Sequence, residues 1–90
     1  MTRGGNYQYN RNMRTKYIIA NIDGLPTPFI FPETFIHADL AKGVGRRPIL
    51  GAGFVSLLDG KLTCYGESIS LNVKSRGDID SKILNSMLFL

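Results

Sequence analysis

Ninety residues with 43% hydrophobic content, no Trp and a single Cys leave room for one small domain around a thin core. They exclude an intrachain disulfide framework and a cysteine-rich zinc site. The formal net charge of +4 is confined to the first sixteen residues, where Arg3, Arg11, Arg14 and Lys16 meet no acid, whereas residues 17–90 carry seven bases against seven acids. A basic excess placed this way points to a nucleic-acid partner only as far as the arm that carries it.

Residues 1–15, rich in Gly, Asn and Arg and without apolar period, are expected to form a flexible basic arm, with residues 16–90 as a single α+β domain. Met13 offers a second translational start inside the arm. From Lys16 the run KYIIANI is β-branched and aromatic, Asp23-Gly24 supplies a hairpin turn, and TPFIF resumes an extended pattern. Pro26, Pro28 and Pro32 each remove a backbone donor, which predicts that this second strand is short and lies at an edge. His37, Leu40, Ala41 and Val44 then fall at helical spacing, with Glu33 or Thr34 near the start and Gly43 as the C-terminal cap.

After the basic loop Arg46-Arg47-Pro48, residues 49–58 read as a strand in which Gly51 and Gly53 mark a bulge or the close approach of another backbone. Asp59-Gly60 repeats the hairpin signal, and residues 61–65 return. Ser68 to Lys74 alternates, which predicts a strand with Ile69, Leu71 and Val73 inward and Ser68, Ser70, Asn72 and Lys74 outward. Ser75 and Asp78 match a helix-capping pattern, followed by Ile79, Ile83, Leu84, Met87 and Leu88 as the apolar stripe of a C-terminal helix. The predicted order is ββαβββα, a mostly antiparallel sheet with two helices.

Residue types that carry chemistry are sparse. His37, the sole histidine, shares its stripe with Leu40 and Ala41, and Asp39 two positions on falls on a different face, so a packing role is expected. Cys64 lies on the side of Leu62 and reads as a small hydrophobe. The carboxylates are scattered or belong to turns. No catalytic residue, metal ligand or cofactor is assigned, and the chain reads as non-enzymatic. The glycine-rich stretch before Arg46 and Arg47 ends a helix instead of opening one, the wrong order for a phosphate loop. The leading ligand or partner surface is the polar row Ser68, Ser70, Asn72 and Lys74, extended by Arg76 and by the basic pair Arg46 and Arg47. An alternative, nucleic-acid binding, would use the arm, where Tyr7 and Tyr9 interleave with Arg3, Arg11 and Arg14 to combine stacking with phosphate contacts. The apolar end, with Leu84, Met87, Leu88, Phe89 and Leu90, asks for cover and predicts a homo-oligomer interface.

The N-terminus shows no apolar leader, and the longest mostly apolar run, Ile49 to Leu58, falls short of the roughly 20 residues that span a bilayer. A cytoplasmic protein without a membrane partner is expected. YIIANIDG at 17–24, HADLA at 37–41, AGF at 52–54, CYGESISL at 64–71 and Ser75-Arg76 resemble segments of small accessory proteins of phages, prophages and mobile elements. The likeness spans most of residues 17–84; the basic N-terminus departs from it. It implies a protein that inhibits a host defence factor in the host cytoplasm, by binding a host protein or by sequestering a small nucleotide signal.

Overall fold

The computed structural model describes residues 14–45 and 47–88. Arg3, Tyr7, Tyr9, Arg11, Arg46, Phe89 and Leu90, singled out from the sequence, lie outside the described residues. The elements are β1 (Thr15–Ile22), β2 (Leu25–Pro32), α1 (His37–Gly43), β3 (Ile49–Leu58), β4 (Lys61–Tyr65), β5 (Glu67–Ser68), β6 (Val73–Lys74) and α2 (Asp78–Leu88). An antiparallel sheet in the order β2-β1-β3-β4 forms the middle layer, beside a two-stranded β5-β6 hairpin. The α+β class and the two long hairpins agree with the sequence pattern. Both turns use Asp-Gly with positive φ at each position, 55° and 86° at Asp23-Gly24 and 51° and 78° at Asp59-Gly60, the backbone that matches strand twist in a two-residue loop.

Central strand β1 is buried on both faces. Tyr17 and Ile19 meet Val55, Cys64 and Leu84 beneath α2, while Ile18 meets Phe31, Ala52, Leu40 and Val44 beneath α1, with Leu71 and Val73 of the β5-β6 hairpin on the same side. The bulge and the close approach expected at Gly51 and Gly53 are both present. Pairing slips by one residue between Ile19 and Ala20, a Cβ at Gly53 would sit 2.4 Å from the Tyr65 carbonyl oxygen, and one at Gly51 would sit 2.0 Å from Asp80 Oδ2.

Five expectations need correction. Strand β2 lies at the edge as predicted but is eight residues long. Ile22 faces Leu25 across the turn, so Pro26, Pro28 and Pro32 occupy positions whose N–H would point away from β1, and no ladder bond is lost. Helix α1 begins at His37, and the left-handed residue that follows it is Gly45 (φ 82°), not Gly43. Residues 68–74 do not form one strand. Asn72 adopts φ 55°, and its N–H and that of Leu71 are taken by the Ile69 carbonyl and the Ser68 hydroxyl, which folds the chain back on itself. In α2 the inward stripe is Asp80 and Leu84, with Ile83 half-buried and Ile79 exposed. Leu84 is fully buried within its own subunit's core and is unavailable to an oligomer interface. Among the described residues, no helix is long and apolar enough to cross a membrane.

Candidate binding cleft

Strand register aligns Phe31, Lys16, Phe54 and Tyr65 as one row across the four-stranded sheet. Arg14, two residues before Lys16, lies on the same face. The row lies on the α1 face, and the start of α1 and the β5-β6 turn close over it. The result is a cleft of about 450 Å³ that includes Arg14, Lys16, Ile36, Phe54, Tyr65 and Ile69 in its lining. Its floor is aromatic: the Phe54 and Tyr65 rings stack at 5.8 Å, and His37 stands edge-on between Phe54 and Phe31. Gly66, with φ 80°, permits this packing, since a Cβ there would press on the Phe54 ring at 3.0 Å.

The basic groups are fixed in place. The Arg14 guanidinium carbon lies 3.9 Å from the Phe54 ring centroid, and its Nε donates to Glu33 Oε2 at 3.2 Å, while the Arg14 backbone N–H donates to Glu33 Oε1 at 2.8 Å. These bonds, the backbone one foremost, hold the Glu33 carboxyl below its ordinary range. Lys16 Nζ donates to the Phe35 carbonyl at 2.7 Å. His37 Nε2 lies 2.9 Å from the Gly53 carbonyl oxygen, which only accepts, so this nitrogen carries the proton. Burial pushes the His37 pKa below its ordinary value despite that bond. Cys64 faces α2 on the opposite side of the sheet, and burial raises its thiol pKa. The fold therefore keeps the two residues with nucleophile or base chemistry apart and uses both in packing.

The polar residues predicted to share a surface are divided. Ser68 is buried in the hairpin, and the Ser70 hydroxyl accepts from the Ala38 N–H at 3.2 Å, tying the turn to the first turn of α1. Both serines serve the fold, although Ser70 also lines the cleft. Asn72 sits in the turn and Lys74 is exposed. Arg47 bonds Asp23 at the β1-β2 turn, at 3.2 Å. Arg76 belongs to a separate cluster under α2: its Nε donates to Asp80 Oδ1 at 2.7 Å and its backbone N–H to Oδ2 at 2.9 Å. Tyr17 gives its single hydroxyl proton to Asp80 Oδ2 at 2.5 Å and so accepts from the Ser75 hydroxyl, 2.7 Å away. Burial, with Asp80 as acceptor, raises the Tyr17 pKa far above its ordinary value.

Of the arm residues proposed for nucleic acid, Arg14 is the described one. Sequence reasoning missed Lys16, Ile36, Phe54, Tyr65 and Ile69 as site residues. For Lys16, Phe54 and Tyr65, parity on three strands was a usable signal, but only once the register was known. No protein-family model, curated protein or solved structure matches the chain.

Proposed function

We propose that this chain is a non-enzymatic accessory protein of phage or mobile-element type that inhibits a host factor in the cytoplasm by binding it, and that the cleft is the docking surface. The observation that carries this reading is the rim: Ile69 is 87% exposed, Ile36 53% and Tyr65 41%, around one aromatic-floored depression. A single exposed apolar side chain is ordinary, but three on one cleft beside an arginine and a lysine have the composition of a protein-binding hot spot. The same groups argue against a free nucleotide as the primary ligand. Glu33 and Glu67 stand beside Arg14 and Lys16 in equal number, so the cleft offers phosphates little net charge.

Placing a photo-crosslinking phenylalanine derivative at position 69 in cells that express the protein tests the assignment. A discrete adduct from position 69, absent from position 61 and weakened by Tyr65→Ala, is the expected result. Equal capture from both positions would remove the cleft from the proposal.

Self-association belongs to the same reading. Met87 and Leu88 are 40% and 41% exposed on the last turn of α2, so a second copy is expected to cover this end.

A further inference from the structure

We infer that the cleft reads a partner segment in which a carboxylate stands beside an apolar side chain, with Arg14 as the carboxylate receptor; this rests on the proposal that the cleft docks a protein. Both oxygens of Glu33 are taken by the inner groups of Arg14, one by its backbone N–H and one by Nε. Among the described residues the two terminal guanidinium nitrogens make no hydrogen bond, and the side chain is 56% exposed at the rim. Those two nitrogens form the fork with which arginine grips a carboxylate bidentately.

The guanidinium is already held in place, since Glu33 holds Nε and the guanidinium carbon sits over the Phe54 ring. Much of the entropy that a free arginine loses on binding is therefore lost before the partner arrives. Below the fork lie Phe54 and Tyr65 with Ile36 and Ile69 beside them, an apolar seat next to the carboxylate receptor. Lys16 is turned to the Phe35 carbonyl, which leaves Arg14 as the better-presented cation. A polyanion would meet as many acids as bases here, whereas a single carboxylate with an apolar neighbour is matched by what the cleft presents.

The experiment is a heteronuclear NMR titration of the isotope-labelled full chain with two blocked probes, acetyl-Gly-Asp-Leu-Asp-Gly-amide and its Asn-Leu-Asn analogue, with oligo-deoxythymidine as the third ligand. The expected result is saturable shifts at Tyr65, Gly66, Ile69 and Ser70 with the acidic peptide and at least tenfold weaker binding of the analogue. In Arg14→Gln, whose spectrum also reports the fold, the difference between the two peptides should vanish. Equal affinity of the two peptides would overturn the role of Arg14 yet leave protein docking intact. Shifts at the cleft with the oligonucleotide alone would overturn both readings, and no shift with any probe would overturn this inference while the crosslinking result decides the docking surface independently.

Discussion

His37 shows how one buried polar residue can set a pH limit on the fold. Its ring is neutral in the folded state because burial disfavours the charge, and its one described hydrogen bond goes to the Gly53 carbonyl. The folded pKa is lower than the unfolded value of about 6.5, so below that pH the unfolded chain takes up a proton that the folded chain refuses. Stability is therefore full above about pH 6.5 and falls as pH drops from there toward the depressed folded value. Glu33 adds a loss in the same direction, beginning only below its own unfolded value of 4.5. Thermal melts between pH 7 and pH 5 should show this decline in the native chain and lose most of it in His37→Leu, which is itself less stable by about 1 kcal/mol because the buried hydrogen bond to the Gly53 carbonyl is lost. An identical pH slope in the variant would exclude His37 as the source. At the Asp80 cluster, Gly51→Ala drives a methyl group into the carboxylate and is expected to cost about 1–3 kcal/mol. Tyr17→Phe removes a donor to a fully buried charge, for a loss of about 1.5–3 kcal/mol. Urea unfolding checks both, and unchanged midpoints would deny the cluster a structural role.

Element boundaries were legible where local chemistry decides them. The two Asp-Gly turns need only φ permission at two residues, and the strands beside them follow from runs rich in β-branched and aromatic residues. Residues 68–74 misled because their alternation of apolar and polar types is the same in a strand as in a tight hairpin, and the Ser68 hydroxyl decided between them by capping the turn. Both outer edges of the main sheet are blunted, by different means. Prolines remove three of the four outward donors of β2, leaving that of Ile30, and α2 covers β4, where the Asn85 side-chain amide bonds both the N–H and the carbonyl of Leu62 at 2.9 Å and the Ser81 hydroxyl accepts from the Cys64 N–H at 2.9 Å. Asn85→Ala and Ser81→Ala are each expected to destabilise by about 1–2 kcal/mol. They should also raise amide hydrogen exchange selectively at Leu62 and Cys64. Uniform exchange rates along β4 in the variants would show that the side chains do not protect the edge.

At the scale of the whole molecule, blunted edges disfavour sheet extension, so a second copy is expected to dock through side chains. Helix α2 runs from Cys64, bonded by Ser81, toward Leu62, bonded by Asn85, so its exposed Met87 and Leu88 lie toward the β3-β4 turn and away from the cleft beside Tyr65. The proposed docking cleft and the proposed self-association surface are thus at different ends and compatible with simultaneous use. Sedimentation of the native chain against Met87→Lys/Leu88→Lys should show an oligomer that dissociates in the variant; a monomeric native chain would end that part of the proposal. The sequence by itself determined what depends on near neighbours: the α+β class, both long hairpins, the edge position of the proline strand and the packing character of His37 and Cys64. Tertiary structure alone decided what depends on register and layer. Lys16, Phe54 and Tyr65 are far apart in the chain and become one row only when β1, β3 and β4 pair in a particular alignment. Leu84 moved from an expected interface to the core because the α2 stripe turns on which residues meet β1, and no period within the helix specifies its neighbour.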